Sequence, residues 1–160
     1  SILPKTAAMT PEELAKERSI LVNHLDALVD TYSAGDHSVD NLITLRRDLA
    51  VTLYRLAAHI KQVHGEAGLS YVTRKFVVAK AILDARRLDA DPKKPTPMNV
   101  LETRVLEIDD VKKAHTDEVW KDAAREELRS KVDGAKQVLA ALQQEIAFLT
   151  YEYKNTHQQS

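Results

Sequence analysis

The sequence predicts an all-α fold, and three observations support that prediction. Glycine and proline occur only four and five times in 160 residues, while residues that favour helices are abundant. Apolar residues recur at alternating spacings of three and four, which is typical of helices packed along a seam. Helix start and stop signals punctuate the chain. We predict an oligomer whose subunit is one helical domain over residues 1–160. The domain begins with a loose arm at 1–9 and an antiparallel helical hairpin at 10–64. A basic buried helix at 69–88, a proline- and lysine-containing loop at 89–97 and a long or broken C-terminal coiled-coil helix at 99–154 follow.

The hairpin has a specific start signal at Thr10. Pro11 suits the first helical position, where its missing N–H is harmless, and Glu13 completes a capping box with Thr10. The short segment GDHS at 35–38 ends this helix and begins the next. Such a short connection predicts two antiparallel helices.

Two glycines are predicted to separate the hairpin from the helix at 69–88. Gly65 is well placed as a left-handed C-terminal cap, and Gly68 follows it. Apolar residues lie almost all round the next helix, so we expect it to be buried. The following loop contains three prolines in six residues, which exclude a regular helix there.

The C-terminal region carries the longest unbroken seam. Whether residues 100–154 form one helix or two stays open. A helix over 117–154 would be about 57 Å long at 1.5 Å per residue, longer than a small domain is wide. We therefore predict that its seam contacts another subunit, through residues spaced alternately by four and three: Leu128, Val132, Ala135, Leu139, Leu142, Ile146, Leu149 and Tyr153.

Charge is concentrated at residues 69–94. Seven Lys or Arg stand there against three Asp, a local balance of +4, whereas the whole chain balances to −1 and the remainder therefore to −5. A segment that is both apolar and cationic predicts a packed partner on one side and an anion on the other, which we interpret as a nucleic-acid backbone. The alternative is a buried bundle helix whose charged side chains extend to water. The candidate nucleic-acid-binding residues are Arg74, Lys75, Lys80, Arg86, Arg87, Lys93 and Lys94, with Tyr71 as a stacking candidate.

Motifs for catalysis, cofactors and metals are not found in the sequence. There is no Cys, and the six His form no metal-binding pair at a spacing of four. No glycine-rich phosphate loop or nucleophile motif occurs. We therefore expect a protein that is not an enzyme, with no cofactor and no bound metal. No apolar run approaches a membrane span and no secretory leader is recognisable, so we expect a soluble cytoplasmic protein.

The segment Val78 to Asp84, VAKAILD, resembles the Lys-Ala-Arg-Leu-Asp segment of the small helical recombination mediators of tailed phages, the UvsY type. A polar loop follows, then an acidic stretch with Asp109 and Asp110. A long C-terminal helix with Trp120 comes last. The resemblance covers residues 70–153.

This resemblance implies an oligomeric, ring-forming helical protein that binds single-stranded DNA in the host cytoplasm. Its protein partners are then a RecA-type recombinase and a single-strand-binding protein. It helps the recombinase load onto DNA that the single-strand-binding protein covers. Lys80 falls on the family's DNA-binding lysine. Ile82 stands where the family has an arginine, and Arg86 and Arg87 lie one turn further on.

Two other functions fit the same helical pattern. The chain can be a phage structural, assembly or adaptor protein whose seams do all the binding. It can also be a small helical inhibitor or regulator of one protein partner. Neither alternative requires DNA binding.

Overall fold

A computed structural model describes residues 9–35, 37–89, 91 and 93–158. Within them the chain forms four helices and no strand, which confirms the all-α prediction. None of these helices combines the length and the apolar character that crossing a membrane requires. The predicted arm at 1–9 lies outside the described residues except for Met9. The helices are α1, Pro11–Ala34; α2, Val39–Arg87; α3, Met98–Val105; and α4, Asp109–Gln158.

The start signals act as predicted at the first two helices. The Thr10 hydroxyl accepts a hydrogen bond from the Glu13 backbone N–H at 3.2 Å. Helix α1 ends at Ala34, and Gly35 follows in an extended conformation. The Ser38 hydroxyl accepts a backbone N–H at 3.4 Å where α2 begins. Each hydroxyl occupies a backbone donor that the first turn of a helix leaves without a partner.

The predicted break at Gly65 and Gly68 is wrong, because α2 continues through both glycines to Arg87. An interior glycine costs a helix only about 1 kcal/mol relative to alanine. Burial of one apolar side chain, such as Val63, which is 4% exposed, stabilises the fold by at least as much free energy. The predicted separate helix at 69–88 is therefore the C-terminal part of α2.

The open question about residues 100–154 is resolved as two helices. A turn at 106–108 separates α3 from α4, and the amide of Ile108 donates to the carbonyl of Val105 at 3.1 Å. The loop predicted at 89–97 is non-helical at every residue that the structure describes there. Of its members, Ala90 and Pro92 lie outside the described residues.

The chain divides into two compact units, and α2 and α4 run through both. Unit 1 comprises residues 1–61 and 127–160, described over 9–35, 37–61 and 127–158. It contains α1, the N-terminal part of α2 and the C-terminal part of α4. Twelve apolar side chains of its described residues are buried: Leu21, Leu25, Leu28, Leu42, Leu45, Leu49, Leu56, Leu128, Val132, Ala135, Leu142 and Ile146.

Five members of the predicted oligomer seam belong to this core. Leu128, Val132, Ala135, Leu142 and Ile146 are at most 8% exposed in a single chain. Side chains already buried within one subunit cannot contact another, so the assignment of these five residues to an oligomer interface is wrong. Leu139 and Leu149 are half-buried, and only Tyr153 is exposed.

Polar contacts in unit 1 fix the register of α4 against α1 and the turn after it. The Lys131 ammonium donates to the Asp26 carboxylate at 2.6 Å. The Glu145 carboxylate accepts from the Tyr32 hydroxyl at 3.0 Å and contacts Nδ1 of His37 at 2.5 Å. These contacts join residues more than 100 positions apart, so the seam of α4 is matched to its partners inside the chain.

Unit 2 comprises residues 62–126, with the C-terminal part of α2, all of α3 and the N-terminal part of α4. Only five apolar side chains of its described residues are buried: Val63, Ala67, Leu101, Val105 and Val111. Helix α3 contributes Leu101 and Val105, which are fully buried although the helix has only eight residues.

Candidate nucleic-acid interface

One stripe of α2 in unit 2 faces α4. The Ser70 hydroxyl donates to the Asp117 carboxylate at 3.2 Å, and Arg74 forms an ion pair with Glu118. Glu66 lies 3.7 Å from the Lys121 ammonium. Positions 66, 70 and 74 are four residues apart, so they lie one above another on the same side of a helix.

The roughly opposite side of α2 carries a row of exposed apolar residues that we call the outer seam. Its members are spaced by three, four, three and four residues: Leu69, Val72, Phe76, Ala79 and Leu83. All five are exposed, Phe76 to 70% and Leu83 to 60%. This spacing is the one by which a helix presents a continuous apolar seam to another helix.

The outer seam corrects the prediction that the basic helix is buried. Apolar residues lie almost all round residues 69–88 in the sequence, a pattern that predicts a buried helix. Unit 2 covers only the side that faces α4. The three-four spacing of the outer seam was the signal that separates this second apolar row from the inner one.

Positive charge flanks the outer seam on both sides. Lys75 lies along one edge, and Lys80 and Arg87 lie along the other. All three side chains are exposed, and none is ion-paired within the part of the chain that the structure describes. The Lys75 ammonium sits 4.6 Å from the centre of the Tyr71 ring, a cation–π contact. Three of the seven predicted cations are thus gathered on one exposed surface.

Two other predicted cations are engaged inside the unit. Arg74 belongs to the ion pair with Glu118, in which both side chains are more than three-quarters buried. Arg86 donates to the carbonyl of Thr96 at 2.9 Å and lies 3.9 Å from the Asp89 carboxylate. Both guanidinium groups therefore make contacts within unit 2.

Arg86 is one part of a clamp at the base of the loop. The Asp89 carboxylate accepts from the Thr96 hydroxyl at 2.6 Å and from its backbone N–H at 3.3 Å. The hydrogen bond from the Thr96 hydroxyl, with smaller contributions that include the charges of Arg86 and Arg104, lowers the pKa of Asp89. The clamp joins Asp89 at the start of the loop to Thr96 near its end.

The last two predicted cations lie in this loop. Lys93 and Lys94 are exposed, and neither is ion-paired to a described residue. Their backbone N–H groups bond to Asp91, that of Lys93 to the carboxylate at 2.9 Å and that of Lys94 to the carbonyl at 3.2 Å. The turn fixes the backbone while leaving both ammonium groups in solvent.

An open groove of about 610 Å³ lies between α2 and the start of α4, and Phe76 of the outer seam is part of its lining. Its apolar lining includes Val77 and Leu88 from α2 and Val111 from α4. Lys80 lines the groove and also borders the outer seam. Sequence reasoning missed this groove, because it depends on how α2 and α4 are paired.

The exposed cations of unit 2 do not reflect an overall positive charge of the unit. Unit 2 contains twelve Lys or Arg and twelve Asp or Glu, so its formal charge is zero. Five of these twelve cations lie beside the outer seam or in the loop. Among the described residues, no group of three or more His, Asp or Glu is placed to hold a metal ion. No protein-family model, curated protein or solved structure matches the chain.

Proposed function

We propose that this chain is a single-stranded DNA-binding recombination mediator that acts as a homo-oligomer. The observation that carries the proposal is the exposed row of Phe76, Lys80 and Arg87 on the outer side of α2. A positive surface with an exposed aromatic ring is the combination by which proteins hold single strands without sequence preference. In this role it assists a RecA-type recombinase on DNA coated by a single-strand-binding protein, in the cytoplasm, as the resemblance to the UvsY type implies.

The spacing of the row supports contacts with a phosphate backbone. Lys80 and Arg87 are seven residues apart, which is about 10 Å along a helix. Two ammonium or guanidinium groups at that separation can contact phosphates of the same strand. Phe76, one turn before Lys80, offers a ring face on which a base can stack, an interaction worth about 1–3 kcal/mol. Lys93 and Lys94 add two further charges from the clamped loop.

Self-association is part of the proposal because one copy offers few contacts. Phosphate binding by a handful of cations is weak and falls with salt. Several linked copies raise the effective concentration of cations along one strand. We assign self-association to the exposed Val119 and Trp120 on α4, which are 66% and 71% exposed. A ring is the closed form of such an assembly when each copy contacts the next through different surfaces.

The test is fluorescence anisotropy of a labelled oligo-dT strand across a salt series. The double variant Lys80→Ala/Arg87→Ala removes two cations from the outer side of α2 in unit 2. The matched control, Arg55→Ala/Lys61→Ala, removes two exposed cations from the same helix in unit 1. We expect the first variant to weaken binding at least ten-fold. The slope of the logarithm of the binding constant against the logarithm of the salt concentration should become shallower by about 1.4, because each lost phosphate contact removes about 0.7.

Equal affinities for both variants, or no binding by the natural chain at low salt, would overturn the DNA proposal. The lone tryptophan tests self-association separately. We expect the emission of Trp120 to shift to shorter wavelength as protein concentration rises, with a matching rise in sedimentation coefficient. A single small species at every concentration would exclude the oligomer.

A further inference from the structure

Phosphate binding uses the cations beside the outer seam and leaves the seam itself unexplained. Five apolar residues at heptad spacing lie in solvent along about 21 Å of helix, from Leu69 to Leu83 at 1.5 Å per residue. A continuous exposed apolar row of this kind marks a protein-binding surface. Its geometry specifies the shape of the ligand, since an a/d seam accepts the matching seam of a second helix.

The flanks of the seam specify the charge of that ligand. The six positions directly beside it hold three cations and no acid: Gly68, Lys75 and Ile82 along one edge, and Thr73, Lys80 and Arg87 along the other. Charges at these positions set partner choice when two helices pair along a seam. A second copy of the outer seam in parallel register would place Lys75 of one chain against Lys80 of the other. Like charges repel, so the seam disfavours pairing with itself.

We propose that the outer seam binds an acidic amphipathic helix of a protein partner. The partner's apolar row packs on Phe76 and its neighbours, and its Asp or Glu side chains pair with Lys75, Lys80 and Arg87. This is the helix-in-groove mode of recognition, with anchors at alternating spacings of three and four. The distance from Leu69 to Arg87 suits a partner helix of about 20 residues, or five to six turns.

The inference goes beyond the proposed DNA binding and gives the same cations a second ligand. Lys80 and Arg87 cannot hold phosphates and carboxylates at the same time. DNA and the acidic helix therefore compete for the outer side of α2. A protein partner that carries such a helix is released when single-stranded DNA is bound, and the reverse also holds, because coupling between two ligands is reciprocal.

The test uses two synthetic helical peptides of three heptads as probes. Both carry Leu at the two seam positions; one carries Glu and the other Lys at the flanking positions. Each labelled peptide is titrated with the full-length protein, and binding is followed by anisotropy at low and high salt. We expect the Glu peptide to bind at least ten-fold more tightly than the Lys peptide. Unlabelled oligo-dT should displace it.

A pair of matched variants places the binding on the seam. Val72→Ser/Leu83→Ser removes two apolar side chains from the outer seam, and both residues are 60% exposed. The control, Val51→Ser/Tyr54→Ser, removes two exposed apolar residues from α2 in unit 1. We expect the first variant to lose at least ten-fold in affinity for the Glu peptide and the control to keep it.

Three results would overturn this inference. The first is equal binding of both peptides, or of neither. The second is equal loss in the two double variants. The third is dissociation of a natural oligomer by Val72→Ser/Leu83→Ser, which would assign the seam to a second copy of the chain. The oligo-dT titration without peptide is a separate measurement, so failure of the DNA proposal and failure of the peptide proposal are distinguishable.

Discussion

The two units use the same helix, α2, in different ways. In unit 1 its inward side packs with α1 and α4 into a core that buries twelve apolar side chains of the described residues, whereas unit 2 buries five. The outward side differs as well. In unit 1 its exposed residues include the cations Arg47 and Lys61 and the apolar residues Ile43, Val51 and Tyr54, and in unit 2 they include the outer seam. Unit 1 therefore buries more of its apolar side chains, whereas unit 2 leaves the outer seam exposed to solvent.

This difference also explains where the cations matter. Charged side chains on the outward side of unit 1 are dispersed on a solvated surface, which is their usual role. In unit 2 three cations border the exposed apolar residues of the outer seam, so that charged and apolar groups share one surface. Exposed apolar rows of this length are costly in a free protein, because they invite association. The outer seam lies beside Lys75, Lys80 and Arg87, which form no ion pair with a described residue, and this is why we propose binding at this surface.

The largest predicted effect contrasts a buried leucine of unit 1 with an exposed one of unit 2. Leu49 is fully buried, and Leu83 is 60% exposed. We expect Leu49→Ala to lower the free energy of unfolding by about 2–5 kcal/mol, because it leaves a cavity in the core. Leu83→Ala should change it by less than about 0.5 kcal/mol. Urea denaturation followed by circular dichroism measures both.

Protein concentration sharpens this comparison. If Leu83→Ala proves as costly as Leu49→Ala at high protein concentration only, a second copy covers the outer seam. If it is as costly at every concentration, the seam is buried within the chain and the contrast between the units disappears.

A smaller effect separates cations that hold the fold from cations that face solvent. Arg74→Ala leaves Glu118, which is 16% exposed, without its partner. We expect a loss of about 1–3 kcal/mol, the usual cost of a buried polar group left unsatisfied. Lys80→Ala should leave the free energy of unfolding within about 0.5 kcal/mol of the natural value. Urea denaturation of the two single variants provides the comparison.

Oligonucleotide affinity should rank these two variants in the opposite order. Lys80→Ala weakens binding, whereas Arg74→Ala, refolded and measured below its unfolding transition, keeps most of it. A stronger loss of affinity in Arg74→Ala would show that the ion pair with Glu118 opens to admit DNA.

The sequence predicted the parts of the fold that depend on neighbouring residues. The cap at Thr10, the end of α1 before Gly35 and the loop after Arg87 follow from backbone donors, glycine and proline, which act over one turn of helix. The period of the seam that starts at Leu128 was also readable, since apolar spacing reports which side of a helix is buried. These features required no knowledge of distant contacts.

The partner of each apolar row could not be read from the sequence. The row from Leu128 to Ile146 was assigned to another subunit, yet it is buried within unit 1. The pattern predicts a buried helix at residues 69–88, yet the row on residues 69–83 lies in solvent. The spacing of apolar residues shows which side of a helix is apolar. Which element packs on that side depends on how the helices pair in the folded chain. The prediction that Arg74 binds DNA has the same origin. Its ion-pair partner, Glu118, is distant in the sequence and becomes a neighbour only in the folded chain.

The smallest predicted effects separate the units by pH, since the groups involved are partly or fully solvated. In unit 1, burial and a hydrogen bond to Glu145 raise the pKa of Tyr32, and a hydrogen bond to Asp26 raises the pKa of Lys131. The folded state then holds both protons more tightly than the unfolded chain. Their contribution to stability is complete below about pH 10 and is lost as the pH rises through the raised values.

In unit 2 the sign is reversed, because the Thr96 hydrogen bond lowers the pKa of Asp89. The contribution of Asp89 is present above about pH 4 and is lost as the pH falls through the lowered value. Urea midpoints of Asp89→Asn and Lys131→Gln against the natural chain, from pH 2.5 to 11, test both signs. The difference for Asp89→Asn should shrink only in acid, and that for Lys131→Gln only in alkali. A difference for Asp89→Asn that stays constant into acid would mean that folding does not lower the pKa of Asp89, so that the clamp stabilises unit 2 without a preference for the ionised carboxylate.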